Sequence, residues 1–214
     1  ALHMRIFLPE YRLLPEHPAP AAFDDCLAVW RQMIVRAEVL RLDATKILLY
    51  GESAGGALAA GMAQQLLAEC HVRPVGQLLI YPVLDDRCGR YASMEQSVDV
   101  AWPRSSNEQM WREYLRDITS PAAPLVPLRT DYSALAGLPP AYIEPQEIDI
   151  LHDEAVTYAE ALTAAGITVQ LNEVSGSYHG FDAESDNAFV SRVIQRRLCA
   201  MKTMLESSSR QPRP

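Results

Sequence analysis

At 214 residues the chain is long enough for one domain with a sizeable core, and 49% apolar with 21% charged residues is ordinary globular composition. A net charge of −8 without a Lys/Arg cluster excludes a nucleic-acid footprint. No stretch approaches the ~20 apolar residues of a membrane-spanning helix.

The strands and helices alternate as in a parallel α/β protein. The first expected strand is 4–8 (MRIFL), already buried in character, so the chain reads as starting in the middle of something. A proline-punctuated loop, 9–20, precedes a helix near 21–37, where Phe23, Leu27, Trp30 and Ile34 recur at helical spacing. Asp24 and Asp25 suit the positive end of that helix. Strand 46–50, helix 54–69 and strand 75–81 follow. Residues 85–120 break the rhythm, scattering Met94, Val98, Trp102, Met110, Trp111 and Tyr114 among polar residues. Such a segment reads either as a cap over a pocket or as a surface helical excursion that packs its own aromatics. Strand 140–144, helix 152–165 closed by Gly166, strand 167–174 and a last helix over 186–206 complete the domain. The polar tail 207–214 reads as flexible.

The four cysteines, Cys26, Cys70, Cys88 and Cys199, show no paired spacing and read as reduced thiols of a cytoplasmic protein. Neither a metal nor an organic cofactor is expected. Residues 1–5 have no signal-peptide character.

Chemistry concentrates at Gly51-Glu52-Ser53-Ala54-Gly55-Gly56. An apolar strand stops there and an alanine-rich helix starts at once, which makes a strand–turn–helix elbow with Ser53 at its apex. Gly51 and Gly55 are expected where side chains would clash, with Glu52 and Gly56 as further support of the motif. The N–H of Ala54, at the helix start, suits a developing oxyanion.

A serine hydroxyl needs a base, and the base an orienting acid. His3, His17, His71 and His152 lie in contexts that suggest surface or structural roles. His179, in Gly176-Ser177-Tyr178-His179-Gly180-Phe181, follows a strand and precedes the last helix, from where an imidazole can reach back over the strand ends. The acid is sought in the run 144–154, which holds Glu144, Glu147, Asp149, Asp153 and Glu154, most of them expected as a solvated helix start. Asp149 is chosen for its loop position, with Glu147 as the main rival. Ser53, Asp149 and His179 then stand in the chain order serine, acid, histidine.

These stretches resemble the hormone-sensitive-lipase-like bacterial esterases and lipases, a branch of the α/β-hydrolase superfamily. The loop 10–18 (EYRLLPEHP) resembles the branch's D-Y-R-L-A-P-E-H-P, 147–154 (EIDILHDE) its E-x-D-P-L-x-D-E, and GESAGG and SYHGF its elbow and histidine loop. Further matches are 80–85 (IYPVLD) and 138–141 (LPPA), so the resemblance runs from residue 4 to about 200. It implies an α/β-hydrolase fold: a mostly parallel sheet with helices on both faces and a partial cap near 85–120, in one domain over 1–206. It also implies Ser53, Asp149 and His179 as the catalytic triad of an esterase acting through an acyl-enzyme on short- to medium-chain acyl esters. Arg12, Glu16 and His17 become braces of the loop beneath the site.

The departures are Glu52 for Asp, Leu14 for Ala, Ile150 for Pro, and no H-G-G-G motif ahead of residue 10. That motif supplies half of the branch's oxyanion hole, so the expectation is an incomplete hydrolase domain lacking its first strands, with Ala54 as its remaining oxyanion donor. An inactive fragment and a non-catalytic ligand-binding protein of the same fold stay open as alternative readings. The expected partner is a small-molecule ester; a homo-oligomer is compatible with the sequence.

Overall fold

A computed structural model describes residues 4–69, 72–95, 101–183 and 187–208. His3, Cys70, His71, Val98 and residues 209–214 of the expected tail lie outside them.

Six short strands are present among the described residues: β1 (Leu48–Glu52), β2 (Gly76–Ile80), β3 (Ala141–Glu144), β4 (Gln146–Ile148), β5 (Val169–Leu171) and β6 (Val174–Tyr178). The main sheet runs in the order β1-β2-β3-β5 and is parallel throughout. Parallel neighbours require crossovers, and helices supply them. α1 (Ala21–Val35) precedes β1, α2 (Ala54–Glu69) joins β1 to β2, α3 (Arg104–Tyr114) lies between β2 and β3, α4 (His152–Ala164) precedes β5, and α5 (Ala188–Ser208) ends the domain.

Both faces of the sheet are covered. On one, Leu79 and Ile143 pack with Leu27 and Trp30 of α1, Leu66 of α2, and Tyr158 and Leu162 of α4. On the other, Leu78, Ile80 and Tyr142 pack with Val190, Val193, Ala200 and Met204 of α5. β2 and β3 are buried at every position, so their sequences do not alternate between apolar and polar, and Gln77 and Glu144 are buried with their apolar neighbours. Each fully buried leucine or isoleucine here contributes about 1.5–3 kcal/mol of transfer free energy. The α/β-hydrolase architecture read from the sequence is the one found.

Three local expectations need correction. Residues 4–8 form no strand: Ile6 and Leu8 are 77% and 87% exposed, and no strand among the described residues pairs with them. An apolar segment makes a strand only where a partner satisfies its backbone. The strand expected over 167–174 divides. Val169–Leu171 joins β3, whereas Val174 starts β6, which pairs with β4 in a separate two-stranded ribbon. Finally, Ser207 and Ser208 continue α5 rather than starting the tail.

The loop ahead of α1 is anchored by Arg12, whose Nε and Nη2 donate to the two carboxylate oxygens of Asp25 at 2.9 Å each. That pairing draws the Asp25 carboxyl down to about 2. In the 85–120 segment, short 3-10 turns at Cys88–Arg90 and Ala92–Glu95 precede α3. Cys88, Tyr91, Met94 and Trp111 bury one another with Val83, Val126, Ile150 and Leu151. The segment thus buries Tyr91 and Trp111 against residues that lie outside it in the chain.

Candidate active site

The elbow is built by close approach of backbone. Ser53 holds φ at 54°, a left-handed conformation that L-residues other than glycine rarely adopt. Its N–H donates to Ile80 O at 3.0 Å, and its carbonyl accepts from Gly56 N–H at 2.9 Å and Val83 N–H at 3.1 Å. The turn is therefore clamped to the end of β2 and the loop beyond it. A Cβ at Gly51 would lie 2.0 Å from Gly55 O, and one at Gly56 would lie 2.6 Å from Pro82 Cβ. Gly55 itself has open space where a Cβ would stand, contrary to the clash expected there. The close approach is made by its carbonyl, not its α-carbon. Ala54 is the first residue of α2, so its N–H is one of the helix's four free donors.

The β4–β6 ribbon brings the other two residues together. Ile148 pairs with Tyr178, so the next residues along, Asp149 and His179, emerge side by side. Asp149 Oδ2 lies 2.8 Å from His179 Nδ1, and His179 Nε2 lies 2.9 Å from Ser53 Oγ. An ionised carboxylate only accepts, so Nδ1 carries the proton and Nε2 presents its lone pair to the serine hydroxyl. Asp149 is 1% exposed, and its second oxygen accepts the Leu151 N–H at 3.1 Å. Glu147 points elsewhere, accepting from Ser175 Oγ at 2.6 Å and Gly176 N–H at 2.7 Å, and it is exposed.

Two aromatic rings flank the imidazole. The Tyr81 ring centroid is 4.7 Å from that of His179, and the Trp102 ring is stacked at 6.2 Å. Trp102 Nε1 donates to Asn107 Oδ1 on α3, so the 85–120 segment also reaches the site. Burial, and then the carboxylates of Glu52 and Asp182, hold the Tyr81 phenol well above its usual range.

Beneath these residues lies a cluster of charges. Glu144 is fully buried and takes three hydrogen bonds from the Arg197 guanidinium, the shortest 2.6 Å from Nη2 to Oε1. Arg197 Nη1 also donates to Asp182 Oδ2 at 2.6 Å. Burial opposes the Arg197 charge, yet Glu144 and Asp182 outweigh it and push the guanidinium further above its usual value. Sequence reasoning passed over Arg197. A signal existed, for Arg197 falls on the apolar stripe Val190, Val193, Ala200 and Met204 at intervals of three and four residues.

The acidic run is also less solvated than expected. Glu154 is fully buried, Oε1 accepting from Leu84 N–H at 2.6 Å while Oε2 has no hydrogen-bond partner among the described residues. Burial pushes its carboxyl well above the usual range. Among the other histidines, exposed His17 donates its backbone N–H to Leu13 O, and His152 lies between Asp153 and Glu173. No cluster of metal-ligating side chains occurs among the described residues. A groove of about 620 Å³ lies on the 85–121 segment, lined in part by Arg87, Cys88, Glu108 and Trp111, and by none of Ser53, Asp149 or His179.

Residues 1–183 match the alpha/beta hydrolase fold family. The chain belongs to that family. Among similar proteins, an ethyl acetate hydrolase of Pseudomonas putida is 36% identical over 174 residues, an alignment that covers 80% of this chain and 54% of that protein. Carboxylesterase NlhH of Mycobacterium tuberculosis is 36% identical over 178 residues, with the same coverage. Of solved structures, a bacterial heroin esterase superposes with a TM-score of 0.86 at 34% identity, covering 92% of this chain and 63% of that one. Esterase LipW from Mycobacterium marinum gives 0.85 at 35% identity, covering 91% of this chain and 61% of its own. The chain spans about half the length of the curated relatives it matches. No helix among the described residues is long and apolar enough to cross a membrane.

Proposed function

We propose that the protein hydrolyses carboxylic esters through an acyl-enzyme on Ser53. The observation that carries this reading is the relay from Asp149 through His179 to Ser53, two hydrogen bonds of 2.8 and 2.9 Å in the order a serine hydrolase needs. The Ser53 oxygen bonds to the ester carbonyl carbon while its proton passes to His179 Nε2. The tetrahedral oxyanion then collapses, the C–O bond to the alcohol breaks, and His179 returns the proton to the leaving alkoxide. Water, deprotonated by the same nitrogen, attacks the acyl-enzyme and releases the acid and free Ser53. Asp149 holds the imidazole tautomer and stabilises the imidazolium. The free N–H of Ala54 at the start of α2 supports its role as an oxyanion donor.

Short- to medium-chain acyl esters are the substrate class, a reading supported by the ethyl acetate hydrolase and carboxylesterase names of similar proteins. The stacking of Trp102 near His179 supports 85–120 as a cap at the site rather than only a surface excursion. A cytoplasmic location belongs to the same reading, supported by free Cys26, Cys88 and Cys199.

The test is labelling with a fluorophosphonate followed by peptide mapping, with turnover of p-nitrophenyl acetate and hexanoate. Stoichiometric label on Ser53, absent in Ser53→Ala, is expected. Ester binding with no label on Ser53 would instead favour a non-catalytic binding protein.

A further inference from the structure

We propose that Arg197 is a positioning residue of this site: one buried guanidinium that ties together the three chain segments carrying Ser53, Asp149 and His179. The proposal rests on the ester-hydrolase reading above and assigns a residue outside the triad to it.

The three carboxylates around Arg197 are distributed one to each segment. Glu52, immediately before Ser53, lies 3.9 Å from Nη1. Glu144 ends β3, on the segment that leads through β4 into Asp149, and takes the Nε and Nη2 edge at 2.6–3.2 Å. Asp182 follows His179 by three residues and takes Nη1 at 2.6 Å. Phenols complete the set. Tyr142 Oη donates to Glu144 Oε2 at 2.6 Å, and Tyr81 Oη lies 2.8 Å from Asp182 Oδ1 while its ring lies against His179.

A planar guanidinium with two edges engaged fixes the angle between its partners, which a flexible ammonium does not. Stability alone is a poor reason for the charge. Arg197 and Glu144 are 5% and 0% exposed, and a pair of apolar side chains of similar volume in their place would avoid the desolvation cost of two ions. What the ion adds is registration between the ends of β1 and β3 and the turn after His179. Glu52, which accepts from Tyr50 Oη, also lies 3.4 Å from Tyr81 Oη and 3.9 Å from Arg197 Nη1.

The decisive variants are Arg197→Met, Arg197→Lys and Asp182→Asn in the whole protein. The first readout is the far-downfield proton resonance of the Asp149–His179 hydrogen bond. The second is the fluorophosphonate labelling rate per folded molecule, with folding measured by near-UV dichroism. Arg197→Met and Asp182→Asn are expected to shift or abolish the downfield proton and to slow labelling on the order of 100-fold, the typical cost of a ~1 Å misplacement. Arg197→Lys, which keeps the charge but not the fork, should recover the proton signal in part. A lowered melting temperature with the downfield proton and the labelling rate per folded molecule both unchanged would overturn the proposal, leaving Arg197 a structural ion. Should Arg197→Met not fold, Asp182→Asn decides, because it cuts only the arm to the histidine segment. Should the wild-type protein take no label on Ser53, the ester-hydrolase reading fails on its own, while the downfield proton still tests the role of Arg197.

Discussion

Ile148 and Tyr178 are paired across the β4–β6 ribbon, and this register places the residue just after each strand, Asp149 and His179, so that Oδ2 of one lies 2.8 Å from Nδ1 of the other. Side chains alternate along a strand, so a slip of one residue would turn one of the two away. Glu147 braces the same ribbon from the exposed side through Ser175 and Gly176. Asp149→Asn is therefore expected to lower the fluorophosphonate labelling rate by about 10⁴-fold, the scale for losing the correct imidazole tautomer. Glu147→Gln should stay within a few-fold of the wild type. Stopped-flow labelling of both variants checks the pair, and the reverse order of effects would remove Asp149 from the relay.

The positive φ of Ser53 makes a separate prediction about stability. Left-handed backbone at a non-glycine residue costs about 1–3 kcal/mol, which glycine does not incur. Ser53→Gly should therefore be more stable than the wild type by about 1 kcal/mol or more in urea denaturation, while taking no label. Ser53→Ala keeps the strain, so it should lose the label without that gain.

Small residues around the elbow differ in what they permit. A methyl at Gly51 would lie 2.0 Å from a backbone carbonyl, which cannot yield without opening the turn. Gly51→Ala is expected to destabilise by about 3 kcal/mol or more, the upper end of overpacking costs. Gly55→Ala meets nothing within 4 Å and sits in the first turn of α2, so it should be neutral or gain about 0.5 kcal/mol. Thermal denaturation of the two alanine variants separates these cases.

Glu154 sets a pH dependence of stability. Its carboxyl is raised by burial in the folded protein, so the folded state binds its proton more tightly than the unfolded chain. Its contribution is fully present below the ordinary carboxyl value of about 4.5 and is lost as pH rises through the raised folded value. Between those limits unfolding releases a proton, and stability falls with pH. Glu154→Gln should remove that part of the slope, so its stability relative to the wild type improves from pH 5 to pH 8. Denaturation midpoints across this range provide the measurement; parallel curves for the two proteins would contradict the assignment.

The sequence by itself determined the elements whose causes are local. The elbow was legible because a strand end, small residues and a helix start are consecutive. Asp149 and His179 were legible because their loops follow strands in the order the fold imposes. The tertiary structure decided what depends on partners distant in the chain. Residues 4–8 read as a buried strand yet form none, since hydrogen-bond pairing is not encoded in one segment. Glu144 and Glu154 read as surface acids but are fully buried, because burial depends on what packs over a residue. Arg197 meets Glu52, Glu144 and Asp182 across 145, 53 and 15 positions, the differences between their residue numbers. Such a meeting is fixed only when the sheet and α5 close on each other, since buried charges find compensation through space rather than along the chain.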